Sequence, residues 1–262
     1  MAPRRIKVKV SPTQIVKARR CWRMIGYEYV EGFRPPPSSK QEFGLEVHRQ
    51  LERWLRDGVL PDDTPEGRTA KQGIVGRWLP PPGPELLVEH EWQIDLGGDI
   101  MLGGIADCVQ KPSSRGGVPL VIDHKSTSSL QWALTPEQLE QDVQAILYSL
   151  WAAFEWDAPA VDARWIYYSA SNPKGGGVRK PTGAKPVSVR FDMRLVPVIE
   201  RVQGILGDVE EIVRIRRAGI PGKALSPDPA ACEMFGGCFH KGRCDDLGAE
   251  DRVYAKFAKK YT

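Results

Sequence analysis

The sequence predicts an α/β fold in which a mixed β-sheet is flanked by helices, with a helical N-terminal portion and a C-terminal cysteine clasp. Three observations carry this expectation. Apolar residues recur at helical spacing through the first third of the chain, and from Glu85 the period shortens to that of strands. Four of the five cysteines sit at the two ends, Cys21 near the start and Cys232, Cys238 and Cys244 near the finish. With no internal repeat and no clear linker in its 262 residues, the chain reads as a single domain.

Ser11 and Pro12 mark a first helix, the serine as N-cap and the proline at the first helical position, with Cys21 near the helix end. After Pro35, Pro36 and Pro37, Ser38 or Ser39 caps a second helix. Along it Phe43, Val47, Leu51, Trp54 and Leu55 form an apolar stripe, leaving Gly44 and His48 as i, i+4 neighbours. A third helix is expected from Thr64 to Leu79, where prolines stop it. Leu87 to Ile94, Ile100 to Val109 and Val118 to Asp123 read as three strands joined by Gly-rich turns at Gly97-Gly98 and at Ser113 to Gly117, an antiparallel meander. Pro136 opens a helix to about Phe154, and a strand follows at Ala163 to Ser169. Asn172 to Lys185, rich in Gly, Lys and Pro, reads as a loop. A short strand at Val187 to Phe191 and a long helix from Leu195 to Ala218 lead into the cysteine segment.

Composition narrows the class. A hydrophobic content of 41% with 27% charged residues is ordinary for a globular protein, and no apolar run approaches the roughly 18 residues of a membrane span. The basic start lacks an apolar signal core, so a cytoplasmic location is expected. Net charge is +4 and unevenly placed. No acid precedes Glu28 among eight lysines and arginines from Arg4 to Arg23, and Lys174 to Arg190 is also free of acids. Such stretches either attract polyanions or form a solvated tail and loop.

Asp123 and Lys125 are two apart on an expected strand, so both face one side, and nowhere else does an acid precede a lysine by two. Asp107 ends the neighbouring strand, and a hairpin brings the carboxylates toward one ion. Phosphodiester hydrolysis uses such a set: carboxylates hold Mg²⁺ or Mn²⁺, and a lysine orients water or offsets developing charge. The alternative is a salt bridge at a strand end. The aliphatic run before Asp123 favours the functional reading, because buried charges need compensation. His48 is either a core histidine or a further metal ligand, which would bias the site toward Mn²⁺. His124 should face away from Asp123 and Lys125, leaving its backbone carbonyl as the ligand it offers. Gln144 and Tyr148 share a helix face and can hydrogen-bond a phosphate or a base, or else are helix former and core. The cysteines, with Gly236, Gly237 and Gly242 among the last three, make four thiolates for a [4Fe-4S] cluster or a Zn²⁺ site, with His240 as an alternative zinc ligand. Cys108 reads as core.

From Ser11 to about Asp246 the chain resembles the PD-(D/E)XK nuclease superfamily, specifically the RecB-type exonucleases with an iron–sulfur clasp, including CRISPR-associated, phage-encoded and AddB-type members. The resemblance rests on Gly44 to His48, on Gly104-Ile105-Ala106-Asp107, on Asp123-His124-Lys125, on Gln144 to Tyr148, and on one cysteine before and three after this core. It implies a restriction-endonuclease-like fold with a helical part over about 11–80, a nuclease core over about 85–220 and a clasp of Cys21 with 232–244. It also implies Asp107, Asp123, Lys125, Gln144 and Tyr148 as catalytic residues, His48, Asp107, Asp123 and His124 around Mg²⁺ or Mn²⁺, and Cys21, Cys232, Cys238 and Cys244 around a [4Fe-4S] cluster. The expected function is a metal-dependent DNA exonuclease acting on ends or single strands in recombination, repair or phage DNA processing, with DNA and a recombination or replication protein as partners. The rival reading is a catalytically silent iron–sulfur DNA-binding accessory protein.

Overall fold

A computed structural model of the chain describes residues 7–113, 117–171, 178–232 and 237–244. The chain gathers into two compact units, one built from Met1–Pro36, Gly98–Ile100 and Ile205–Thr262, the other from Pro37–Gly97 and Met101–Gly204. Among the described residues no helix is long and apolar enough to cross a membrane.

The second unit carries the sheet. Its strands are β2 (Leu86–Gly97), β3 (Ile100–Gln110, from Met101 onward), β4 (Leu120–Thr127), β5 (Ala160–Ala170) and β6 (Pro181–Asp192). They run in the order β3, β4, β5, β6, with β2 also paired to β3. β3 and β4 are antiparallel, β4 and β5 parallel, and β5 and β6 antiparallel, so the sheet is mixed as expected. The parallel pair needs a crossover. Helices α5 (Pro136–Leu139) and α6 (Val143–Trp156) supply it. Helix α6 is apolar nearly all round, with eight buried residues including Leu147, Tyr148 and Trp151, as a helix buried in a core must be.

Helix α3 (Ser39–Asp57) starts in a capping box between Ser38 and Gln41 and ends at Gly58, whose φ of 71° closes the last turn. Its stripe of Phe43, Val47, Leu51 and Leu55 packs with Cys108, Ile122, Ile166 and Tyr168 in one buried cluster. Burying a leucine here contributes about 1.5–3 kcal/mol. Leu51→Ala would cost about 2–5 kcal/mol through the cavity left behind. Helix α4 (Pro65–Val75), capped by Thr64, covers the same side.

Several boundaries differ from the sequence expectation, among them β4, which runs on to Thr127, and β5, which starts at Ala160; three have a visible cause. Helix α4 stops at Val75 rather than Leu79, because Arg77 turns left-handed (φ 55°) and the chain folds back on the Ile74 and Gly73 carbonyls. The helix expected from Pro136 to Phe154 breaks at residues 140–142, where the Asp142 side chain accepts the Ala145 N–H and caps α6. Strand β6 begins at Pro181 inside the segment read as loop. It is an end strand of the sheet, where prolines are tolerated, and Pro186 pairs with Ile166. Residues 172–177 of that segment, residues 114–116 of the expected Ser113 to Gly117 turn, and Arg4 and Arg5 lie outside the described residues.

The first unit is built around its own N-terminal helices. Strand β1 (Val8–Val10) sends the Val8 N–H to the Asp99 carbonyl at 2.8 Å. Helix α1 (Pro12–Arg20), capped by Ser11, ends at an extended Cys21, and α2 (Trp22–Ile25) runs into a π turn over Gly26–Val30. The C-terminal part of α7 (Val196–Ala218), a 3₁₀ turn at Gly222–Ala224 and α8 (Lys241–Cys244) complete the unit. Gly26 is required for close approach, since a Cβ there would lie 2.5 Å from the Gly222 backbone. Much of the basic N-terminal stretch is structural. Arg20 donates to the Ala231 carbonyl, Arg23 to the Leu225 and Cys244 carbonyls, Arg19 pairs with Asp208, and Lys17 with buried Glu28.

Candidate active site

In the second unit the β3–β4 ladder runs Gln110↔Leu120, Val109↔Val121 and Cys108↔Ile122. One step further the Asp107 side chain takes over as acceptor: the His124 N–H donates to Asp107 Oδ2 at 2.7 Å. Asp107 is thereby fixed beside Asp123. Burial and the Asp123 charge push the Asp107 carboxyl well above its ordinary range, against the His124 N–H and Lys125, which lower it.

Asp123 is 2% exposed and Lys125 Nζ lies 2.5 Å from its Oδ2. Burial pulls the lysine pKa down, but the Asp123 charge and hydrogen bond, with Asp107 and Asp142, outweigh it and leave it raised, so Lys125 is a cation at neutral pH. The same ammonium donates to Gln144 Oε1 at 2.6 Å, Gln144 Nε2 donates to the Tyr148 hydroxyl at 2.7 Å, and that hydroxyl donates to the Ile105 carbonyl at 2.6 Å. The two residues that share a face of α6 therefore direct their polar groups at Lys125, at each other and at β3. Tyr148 is 3% exposed, packed against Trp92 and Trp165.

Helix α3 brings His48 Nδ1 to 3.5 Å from Asp107 Oδ2, and the ring also hydrogen-bonds the His124 backbone. Burial lowers the His48 pKa, opposed by Asp123, which favours the neutral imidazole beside the carboxylates. The His124 side chain is buried near Tyr168 and meets the His48 ring edge-on; burial first, then His48 and Lys125, hold its pKa well below the usual value. A Cβ placed on Gly44, one turn before His48, would meet the Ser126 side chain at 3.4 Å. Beside them opens a groove of about 480 Å³ lined by Lys40, Leu45, His48, His124, Lys125 and Ser126 among others. Cys108 is fully buried core, its thiol pushed up to about 12 by burial and Asp107.

The sequence reading missed Glu89. Its carboxylate, a His48 ring nitrogen and an Asp107 oxygen all lie within 4.8 Å of one another, and among the described residues this is the group of three His, Cys, Asp or Glu side chains disposed to hold a metal ion. Burial first, then Glu52 and Asp123, raise the Glu89 pKa, with Arg56 opposing. Period-two alternation gave no signal for it, because Glu89 stands where the alternation of β2 fails.

In the first unit Cys21, Cys232, Cys238 and Cys244 line one cavity of about 340 Å³ together with Tyr27 and His240. Cys232 and Cys238 each have their pKa raised, by burial first and then by the neighbouring thiols. His240 is buried, stacked on Tyr27, with Nε2 3.3 Å from Glu28 Oε1. Among the described residues no three of the four sulfurs approach within 4.8 Å of one another.

The profile of the PD-(D/E)XK nuclease superfamily matches residues 74–245, more than half of the chain. Among solved structures, similarity extends to the protein SSO0001 at 12% identity and TM-score 0.39, covering 79% of each chain. It also extends to a phage-related exonuclease from Haemophilus somnus 129PT at 12% identity and TM-score 0.33, covering 79% of this chain and 93% of that one. A search of curated protein sequences finds no match.

Proposed function

Since the chain belongs to the PD-(D/E)XK nuclease superfamily, we propose that it is a divalent-metal-dependent deoxyribonuclease, acting as an exonuclease on DNA ends or single strands. The observation that carries this reading is the placement of Lys125, which bridges buried Asp123 and Gln144 while Asp107 is held beside it. Two carboxylates side by side, Asp123 buried and Asp107 partly so, repel each other, and a raised carboxyl pKa marks a group that gains from a nearby cation. The donor set fits Mg²⁺ or Mn²⁺: hard oxygens from Asp107 and Asp123, the His124 backbone carbonyl, and the neutral His48 imidazole, whose nitrogen tilts the preference toward Mn²⁺. Such a cation, when bound, polarises the phosphoryl group and acidifies water.

The remaining work falls to the chain's own groups. Lys125 stays protonated and presents its charge where negative charge builds on the phosphoryl oxygens, or orients the attacking water. Gln144 fixes the ammonium, and Tyr148 fixes Gln144, so the lysine meets the phosphate without reorganising. The adjoining groove, with Lys40 at its side, admits a polynucleotide backbone next to Lys125 and His48. For the thiol cavity we propose a [4Fe-4S] cluster on Cys21, Cys232, Cys238 and Cys244, supported by the four thiols lining one cavity.

The test is cleavage of end-labelled linear, single-stranded and circular DNA with Mg²⁺, Mn²⁺ or chelator. Metal-dependent loss of label from linear or single-stranded DNA, with closed circles intact, is expected. Nicking of circles would replace exonuclease by endonuclease action. Cleavage unaffected by chelator would remove the metal, and binding without any cleavage would leave the accessory-protein reading in its place.

A further inference from the structure

Strand β2 changes face at Glu89. Before it, Leu86 and Val88 pack against the core cluster that contains the α3 residues Val47, Leu51 and Leu55. After it, His90 stacks on Trp151 and Trp92 packs against Tyr148 and Trp151, all on α6. In a regular strand residues 88, 90 and 92 would share one face. They do not, because Glu89 adopts a left-handed φ of 49° in the middle of the strand. An insertion-like kink of this kind re-aims a side chain and recurs next to active sites. A glutamate in that conformation is strained, and glycine is the residue that would adopt it freely.

The kink has a specific result: the Glu89 carboxylate comes to lie within 4.8 Å of the ligand atoms of His48 and Asp107, both of which face it from other elements. We infer that Glu89 is a further side-chain ligand of the divalent cation held at His48, Asp107 and Asp123, and that the kink in β2 is retained to deliver it. The inference rests on the metal-dependent reading above. One nitrogen and three carboxylates then meet the ion, His48 from α3, Glu89 from β2, Asp107 from β3 and Asp123 from β4. Asp123, ion-paired with Lys125 on β4, keeps its place as a donor to the same ion. A ligand set of this composition suits Mn²⁺ and holds it before substrate arrives.

Mn²⁺ is titrated calorimetrically into the full chain without DNA, for the wild type, Glu89→Gln, Glu89→Gly and Asp107→Asn, and each metal-free protein is melted. Glu89→Gln, which keeps shape and removes charge, is expected to weaken Mn²⁺ binding at least about tenfold. Glu89→Gly is expected to weaken it equally while melting at or above the wild-type temperature, since the strain and a half-buried acid are both gone. Mn²⁺ binding by Glu89→Gln within about threefold of wild type, with binding lost in Asp107→Asn, would overturn the role of Glu89 and spare the metal site. Unchanged binding in Asp107→Asn would overturn the metal reading itself. A lowered melting temperature in Glu89→Gly with unchanged Mn²⁺ affinity would make Glu89 a purely structural strand residue.

Discussion

Lys125 Nζ donates to Gln144 Oε1 over 2.6 Å, a contact that ties the β4 lysine to helix α6 and gives the ammonium a fixed position between a carboxylate and an amide. The lysine is set by two partners of different kinds, so its removal and its loosening have different signatures.

Lys125→Met should lower cleavage by at least about a hundredfold, the scale of losing an electrostatic stabiliser. Because Asp123 is 2% exposed and Lys125 is its ion-pair partner, the variant also leaves a buried carboxylate uncompensated. A lower melting temperature in metal-free buffer, partly restored by Mn²⁺ or Mg²⁺, is expected. Cleavage within a few-fold of wild type by the folded variant would exclude Lys125 from the chemistry.

Tyr148→Phe should act more gently. The hydroxyl both donates to the Ile105 carbonyl and receives the Gln144 amide, so its loss unties Gln144 and leaves the part-buried Gln144 amide without that partner. About 1–3 kcal/mol of stability should go, readable in urea unfolding. The turnover number should fall by roughly tenfold with little change in KM, as for a residue that positions a group acting in the transition state. A raised KM at constant turnover would place Tyr148 in substrate binding instead.

The grouping of the candidate residues was legible in the sequence because it is carried by fixed spacings on regular elements. Asp123 and Lys125 are two apart on β4, His48 lies one turn after Gly44 on α3, and Gln144 lies one turn before Tyr148 on α6. What was not legible departs from regular periodicity. Glu89 is displaced by a left-handed residue inside a strand. Pro181 and Pro186 look like loop until β6 is seen to pair on one side at the sheet end. Arg20 and Arg23 read as part of a basic tail, whereas their guanidinium groups reach main-chain carbonyls some two hundred positions away, a contact no local pattern encodes.

Glu28 gives the first unit an acid-sensitive support. Burial raises its pKa, but hydrogen bonds from His240 and Lys17 and the Lys17 charge outweigh this and leave it below the ordinary carboxylate value. A folded pKa below the unfolded one, about 4.3 for glutamate, contributes stability that is fully present above the unfolded value and is lost as pH falls through the folded one. Glu28→Gln should therefore lower the melting temperature at pH 7 and flatten the acid limb of the melting curve below about pH 4.3. Parallel acid limbs for variant and wild type would show that Glu28 is not the titrating support.

The thiol cavity makes the last prediction, and the arginines beside Cys21 sharpen it. Cys21 and the C-terminal cysteines come from opposite ends of the chain, so a metal–sulfur group joining them would close a long loop and contribute to stability. The same ends are also fastened without metal, by Arg20 to Ala231 and by Arg23 to Leu225 and Cys244. Protein purified without oxygen should be brown and contain iron and acid-labile sulfide. Cys21→Ser, Cys232→Ser, Cys238→Ser and Cys244→Ser should each bleach it and lower the melting temperature without unfolding it, because the arginine ties persist. Arg20→Ala should lower the melting temperature and keep the colour, and Cys108→Ala, which removes a core thiol of the other unit, should leave the iron content unchanged. Stoichiometric zinc in a colourless preparation would replace the cluster by zinc on the same thiols. Wild-type melting in all four serine variants would show that the arginines alone hold the segment.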